Sequence, residues 1–155
     1  MIEIERKFLV LSHDFKKDAI AKEQIVQGFL NTDPHRTVRV RIKGDNGFLT
    51  IKGKGNDTGV SRFEWEVTIS VEDASALLLL AEPGTIEKVR YTVRAGAHLF
   101  EVDEFFGDNE GLLIAEVELS REDESFERPS WLGEEVSGQE RYYNSQLGKN
   151  PFKNW

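Results

Sequence analysis

Residues able to do chemistry recur in this sequence as pairs of like charge, two positions apart. The acidic pairs are Glu3/Glu5, Glu64/Glu66, Glu101/Asp103 and Glu116/Glu118, and the basic pairs are Arg39/Arg41 and Lys88/Arg90. Residues two apart on a strand share a face, so each pair sets two like charges side by side. A solvated strand face is the ordinary reading of such alternation, but solvated faces usually mix both signs. Because like neighbours repel, the pattern indicates faces that are neutralised by partners or by a ligand.

The two signs suggest two complementary ligands. Arginine and lysine bind phosphate oxygens, arginine in a bidentate manner and lysine as a point charge. Clustered carboxylates supply the oxygen ligands that hard divalent cations prefer. Together, the acidic and basic pairs predict a polar site that holds a polyanion and a divalent metal ion.

The elements that carry these pairs are predicted to be strands, because their residues alternate with period two. Strand-like segments are residues 2–10, 24–31, 37–43, 48–52, 63–67, 88–91, 100–103 and 115–119. Most are separated by short turns rich in Gly, Asn, Asp or Pro, which favours antiparallel hairpins. Eight antiparallel strands can close into a barrel. The prediction is therefore a mainly β fold with flanking helices, whose core is a closed eight-stranded antiparallel β-barrel with its charged faces turned into a tunnel.

Three helices are predicted to cover the apolar outer face of this barrel. One spans Val71 to Ala81, with Ser70 as its N-cap. A short one spans Phe15 to Lys22. The segment Ser137–Glu140 reads as a capping box that opens a third helix, which runs to about Leu147.

Composition narrows the class of protein. The 155 residues fit one domain spanning 1–155. The absence of cysteine excludes disulfides, thiol nucleophiles and Cys-ligated metals. The longest apolar run, residues 77–81, is too short to span a membrane, and a net charge of −8 argues against nucleic acid as a partner. A cytoplasmic location is the default expectation.

A set of motifs, taken in order, resembles a known family. They are Glu3-Ile4-Glu5-Arg6-Lys7, Gln27-Gly28-Phe29-Leu30, Arg39-Val40-Arg41, Thr50-Ile51-Lys52, Glu64-Trp65-Glu66, Lys88-Val89-Arg90, Glu101-Val102-Asp103, Glu116-Val117-Glu118 and residues 129–136. The first matches the E-x-E-x-K signature of the CYTH superfamily, the triphosphate tunnel metalloenzymes. The resemblance covers nearly the whole chain. It implies an eight-stranded tunnel barrel that binds triphosphates with a divalent metal and hydrolyses or rearranges them.

The resemblance also implies roles for particular residues. The expected ligands of Mg²⁺ or Mn²⁺ are Glu3, Glu5, Glu116 and Glu118. The expected phosphate-binding residues are Lys7, Arg39, Arg41, Lys52, Lys88 and Arg90. Glu5 and Lys7 are the expected catalytic residues. Further metal ligands or water-orienting groups are Glu64, Glu66, Glu101 and Asp103, for which structural pairing with tunnel cations is an equal alternative.

The expected function is metal-dependent hydrolysis of inorganic tripolyphosphate to pyrophosphate and phosphate. The alternatives are a class IV-type adenylyl cyclase, a nucleoside or thiamine triphosphatase, and a polyphosphate-binding module without turnover. Phe29 departs from the family pattern, which commonly has a tyrosine there as a candidate proton acceptor. The resemblance further suggests a homodimer.

Overall fold

The computed structural model describes residues 1–155 as nine strands, three short helices and three 3₁₀ turns. The strands are β1 (Ile2–Val10), β2 (Ala19–Asn31), β3 (Arg36–Lys43), β4 (Asn46–Gly53), β5 (Ser61–Ile69), β6 (Ile86–Ala95), β7 (His98–Phe105), β8 (Leu113–Glu118) and β9 (Leu132–Glu135). The helices are α1 (Phe15–Asp18), α2 (Val71–Leu78) and α3 (Asn144–Leu147), and the 3₁₀ turns are Gly107–Asn109, Glu140–Tyr142 and Phe152–Asn154.

Eight of the strands close into a barrel. Their order is β1-β5-β4-β3-β2-β6-β7-β8 and back to β1, and every pairing is antiparallel. Strand β1 pairs with β5 only through Ile2–Ile4, and β9 pairs with the other end of β1, between Phe8 and Val10. The predicted eight-stranded barrel is confirmed, and β9 is an additional strand that the sequence pattern did not reveal.

Most of the hydrophobic core lies outside the barrel wall. The larger apolar cluster joins outward-facing barrel residues such as Phe8, Phe100 and Val117 to Phe15 and Trp131 from the covering segments. A second, smaller cluster packs Leu147 against Ile86 of β6, Phe105 of β7 and Ile114 of β8, which share the inward strand faces of Lys88, Glu101 and Glu116. The alternation of apolar and charged residues therefore sorts outside from inside along most of the barrel, and the second cluster fills one end of the interior with apolar side chains.

The first two predicted helices exist but end early. Ser70 caps α2 by accepting a hydrogen bond from the Asp73 backbone N–H at 3.0 Å, as predicted, and α2 ends at Leu78 instead of Ala81. Ala81 instead packs on β2, where a side chain at Gly28 would come within 2.7 Å of its Cβ. Helix α1 stops at Asp18 because Ala19 already pairs with β6. No helix in the chain is long and apolar enough to cross a membrane.

The third predicted helix was wrong over most of its length. Ser137 does not open a helix; its hydroxyl accepts a hydrogen bond from the Lys7 backbone N–H at 2.9 Å and donates one to Glu135 at 2.7 Å. Gly138 follows with a φ of +76°, a left-handed conformation that breaks any helix. The segment then forms the Glu140–Tyr142 turn and α3, and so runs across the barrel opening.

Candidate active site

The barrel encloses a polar cavity of about 430 Å³ in which only three of 33 lining residues are hydrophobic. All but one of the residues predicted for the site line it: Glu3, Glu5, Lys7, Arg39, Arg41, Lys52, Glu64, Glu66, Lys88, Arg90, Glu101, Glu116 and Glu118. The remaining one, Asp103, is fully buried behind the lining. A cavity of this composition suits a small, highly charged ligand with metal ions rather than an apolar one.

Strand register explains how residues from the two ends of the chain meet. In the β1–β8 pairing, Glu5 lies opposite Glu118 and Lys7 opposite Glu116. In the β7–β8 pairing, Glu101 lies opposite Glu116. Directly opposed residues of antiparallel strands have neighbouring side chains on one face. Closure of the barrel therefore gathers acidic residues from three strands on one wall.

Glu5 and Glu116 form a carboxyl–carboxylate pair. Burial and the charge of Glu116 raise the pKa of Glu5 well above its ordinary value, and Glu116 accepts a hydrogen bond from the protonated Glu5 carboxyl. Burial works against the charge of Glu116, but Lys7, the bond from Glu5 and Arg90 outweigh it and hold its pKa well below the ordinary value. Without metal, the Glu5 carboxyl therefore holds its proton more tightly than an ordinary glutamate, as expected when like charges are in close contact.

Glu3 belongs to a separate ion-pair group with Lys52. The Lys52 ammonium lies 2.9 Å from a Glu3 carboxylate oxygen and 3.1 Å from one of Glu64, and Arg62 lies 3.5 Å from Glu3. Burial of Glu3 opposes its charge, but Lys52 and Arg62 prevail and lower its pKa. Glu118 has no such partner, so burial and the charge of Glu3 raise the pKa of Glu118.

The two cavity-lining arginines of β3, Arg39 and Arg41, converge on one carboxylate. A Glu66 oxygen lies 3.5 Å from Arg39 and 3.3 Å from Arg41, and it accepts a 2.6 Å hydrogen bond from the Thr50 hydroxyl. Burial, with the charges of Arg41 and Arg90, lowers the pKa of Arg39 to about 10. One carboxylate shared by two guanidinium groups leaves net positive charge facing the cavity, and the Nε of each arginine has no hydrogen-bond partner.

Asp103 anchors the third basic group. It binds the Arg90 guanidinium through both oxygens, at 2.7 and 2.8 Å, and lies 2.7 Å from the Lys88 ammonium. Burial alone would raise the pKa of Asp103, but Arg90 and Lys88 outweigh it and lower that pKa. Arg90 also contacts Glu101 at 3.1 Å and Glu116 at 3.3 Å. In this arrangement, Asp103 and Glu101 pair with cations.

No three Asp, Glu or His side chains stand together at the spacing of a metal site. Glu5 and Glu116 interact directly as a pair of carboxyl groups. Their donor chemistry still fits Mg²⁺, which is typically held by one or two carboxylates and completes its octahedron with water and substrate phosphates. The four-glutamate metal assignment stays a prediction.

The C-terminal segment supplies cavity residues that sequence reasoning missed. Ser137, Gly138, Glu140, Tyr143, Asn144, Ser145 and Gln146 all line the cavity. The Lys7 ammonium lies 5.4 Å from the Tyr143 ring centroid and donates to the Tyr142 carbonyl at 3.5 Å. Phe29 lines the same cavity. The sequence feature that could have indicated these residues is the run of small and polar residues after Val136. The capping-box interpretation assigned that run to a helix instead.

Comparison with known proteins places this barrel in a family. The CYTH domain model matches residues 1–148. An inorganic triphosphatase of Acetivibrio thermocellus is 46% identical over 155 residues, covering 99% of this chain and 97% of that protein. One of Nitrosomonas europaea is 38% identical over 151 residues, covering 95% and 97%. A solved structure of an inorganic triphosphatase, 35% identical, has a TM-score of 0.66 and covers 94% of this chain and 93% of its own. The chain therefore belongs to the CYTH family, as its motifs indicated.

Proposed function

We propose that the protein hydrolyses inorganic tripolyphosphate to pyrophosphate and phosphate, with a divalent metal ion. The observation that carries this proposal is a polar cavity in which buried arginines and lysines from three strands, β3, β4 and β6, surround one small volume. The relatives described above, named inorganic triphosphatases, support the same substrate. A linear polyanion with four or five negative charges matches a cavity of this size and charge.

The basic residues bind and orient the phosphate chain. Arg39, Arg41 and Arg90 offer planar N–H donors, and Lys52 and Lys88 offer point charges. Their present carboxylate partners hold them around the cavity before substrate arrives. Such preorganised charge stabilises the charge that develops in phosphoryl transfer.

We assign the metal site to Glu5 and Glu116, with Glu3 and Glu118 as further ligands, and the metal to Mg²⁺ or Mn²⁺. When bound, such an ion neutralises phosphate charge and makes water a better nucleophile. The chain's own part is to supply carboxylate oxygens once Glu5 gives up the proton that it donates to Glu116 in a hydrogen bond. Glu64, Glu66 and Glu101 act mainly as partners of the tunnel cations.

In the reaction, a water oxygen forms a bond to the terminal phosphorus while the bridging P–O bond on the opposite side breaks. Pyrophosphate leaves with the electron pair of that bond, and the water proton passes to solvent or to a site group. Lys7 lies between Glu116 and Tyr143, where its ammonium can contact the terminal phosphate. Phe29 carries no acid or base, so its position contributes shape only.

A substrate panel tests this proposal. Phosphate release is measured from tripolyphosphate, ATP and thiamine triphosphate with Mg²⁺ or Mn²⁺, together with cyclic AMP formation from ATP. We expect tripolyphosphate to be the preferred substrate. Cyclic AMP production would favour the cyclase alternative, and tight tripolyphosphate binding without release under any metal would favour a binding module.

A cytoplasmic location, the default expectation from the sequence, and a homodimer, which the family resemblance suggests, are further proposals. The molar mass in solution, measured by light scattering, tests the dimer. A mass of 17.7 kDa would contradict it.

A further inference from the structure

Asn144, at the start of α3, is a cavity residue with no role so far. It lines the cavity, and its Oδ1 accepts two hydrogen bonds, one from Lys88 Nζ at 3.1 Å and one from Gln27 Nε2 at 2.9 Å. An ammonium group only donates, so the atom facing Lys88 must be the oxygen. The orientation of the amide is therefore determined, and Nδ2, with two N–H groups, is left without a protein partner.

The hydrogen bond between Asn144 and Lys88 also orients the Lys88 ammonium group. An ammonium has three N–H donors in tetrahedral directions. Asp103 takes one at 2.7 Å and Asn144 takes the second at 3.1 Å. Since Lys88 is only 2% exposed and lines the cavity, the third donor is the one left for a ligand. Two fixed acceptors leave that donor little freedom of direction.

We propose that Asn144 is a phosphate-binding residue of the tunnel, which donates from Nδ2 to a phosphate oxygen while its Oδ1 aims Lys88 at the same phosphate chain. The inference rests on the proposed function for the identity of the ligand. It assigns to the C-terminal segment a direct part in substrate binding, beyond closing the barrel opening. Gln27, fully buried, holds the amide in this orientation.

Asn144→Asp is the sharpest variant, because aspartate is nearly isosteric and keeps an acceptor for both Lys88 and Gln27. It replaces the free N–H donors with a negative oxygen. Asn154→Asp is the matched control, since it adds the same charge at an exposed position of the same segment, away from the cavity. Tripolyphosphate affinity is measured by calorimetry on the metal-free protein, and KM is measured with metal.

We expect Asn144→Asp to weaken tripolyphosphate binding and raise KM by at least about ten-fold, the scale of one lost charge-assisted hydrogen bond. Its melting temperature without ligand should match that of the wild type. Asn154→Asp should change neither quantity. An Asn144→Asp protein that binds tripolyphosphate within about two-fold of the wild type would overturn the assignment.

A double-mutant cycle tests whether Asn144 orients the Lys88 ammonium group. Asn144→Ala should weaken binding less in a Lys88→Ala background than in the wild type, because the residue it positions is already gone. Equal effects in both backgrounds would overturn the positioning role. A wild-type protein that binds tripolyphosphate but does not hydrolyse it would contradict the hydrolase proposal and leave both comparisons valid. Absence of binding would overturn both proposals.

Discussion

At the scale of the residue, the charged side chains of β3 differ in what they face. Arg41 is 8% exposed, lines the cavity and shares Glu66 with Arg39. Lys43 lies on the same strand face and also lines the cavity, but it pairs with Glu23 at 3.6 Å and is more exposed than Arg41. Arg36, at the start of the strand, is exposed and pairs with Asp33 outside the cavity. Substitutions of Arg41, Lys43 and Arg36 therefore remove charges that are progressively more exposed.

Arg41→Ala should raise KM for tripolyphosphate by about ten-fold or more, because it removes a charge-assisted contact of about 1.5–3 kcal/mol. Lys43→Ala should have a much smaller effect, and Arg36→Ala should have none. Steady-state kinetics of the three variants provide the comparison. Equal losses in all three would contradict the inward orientation of Arg41.

Glu5→Gln should leave the metal-free melting temperature equal or higher. The substitution mimics the protonated carboxyl that burial and Glu116 already favour, and so it removes a repulsion rather than an attraction. The variant should also lose most metal-dependent activity and most of the stabilisation gained on adding Mg²⁺ or Mn²⁺.

The measurement for Glu5 is a pair of melting curves, with and without metal, run beside an activity assay. Glu87→Gln, on the outer side of β6, is the matched control because Glu87 is exposed and does not line the cavity. A lower metal-free melting temperature with retained activity would show that Glu5 is a structural residue and not a metal ligand.

At the scale of the element, β9 is held to β1 by a bidentate ion pair. Arg6 donates to both Glu135 oxygens, at 2.8 and 2.5 Å, on the outer side of the barrel. The hydrogen bond from Arg6 lowers the pKa of Glu135. A carboxyl whose folded pKa is depressed stabilises the fold above its unfolded pKa, and the stabilisation is lost as the pH falls through the folded pKa.

Glu135→Gln should therefore lower the free energy of unfolding at pH 7 by about 0.2–1 kcal/mol, the range for partly exposed pairs. The difference from the wild type should shrink as the pH falls below the ordinary glutamate range. Denaturant unfolding at several pH values measures it. Glu134→Gln, at the exposed neighbouring position, should show no comparable loss, and a pH-independent difference would refute the ion-pair explanation.

Much of the barrel could be predicted from period-two alternation, because one strand face must meet the apolar clusters and the other the cavity. Strand β9 could not, since Leu132–Glu135 is only four residues long and does not alternate. The C-terminal helix was misjudged for a related reason. Local capping preferences favoured it, but Ser137 instead bonds to the Lys7 backbone of the neighbouring strand β1, a contact 130 residues away in sequence.

The candidate site divides in the same way. Like-charged pairs on strands revealed the lining residues, because the odd or even position of a residue along a strand is enough to decide which face its side chain is on. The pairing of Asp103 with Arg90 and Lys88 depends on strand register and depth, which composition does not encode. Asn144 carries no charge and lies on no strand, so no pattern pointed to it.

At the scale of the whole molecule, the cavity concentrates basic residues whose mutual repulsion a polyanion can relieve. Burial and neighbouring arginines already depress the pKa of Arg39. Tripolyphosphate at about one hundred times its dissociation constant should stabilise the fold by about 2.7 kcal/mol, a rise in melting temperature of about 5–10 °C.

Thermal unfolding in the presence of a chelator measures this rise without turnover. Sulfate at matched ionic strength is the control, and it should produce a smaller shift because it cannot span several cations at once. Arg41→Ala should reduce the tripolyphosphate shift. An identical shift with sulfate and with tripolyphosphate would indicate general screening and not occupation of the cavity.

The pairing of most tunnel cations with carboxylates has a consequence for how the two ligands act on each other. A phosphate that draws Lys52 away from Glu3, or Arg90 away from Glu116, frees acidic oxygens for a metal ion, and a metal on those oxygens frees the cations. Each ligand thereby prepares the site of the other. Thermodynamic linkage requires this cooperativity to be reciprocal, so the anion should tighten metal binding by the same factor by which the metal tightens anion binding.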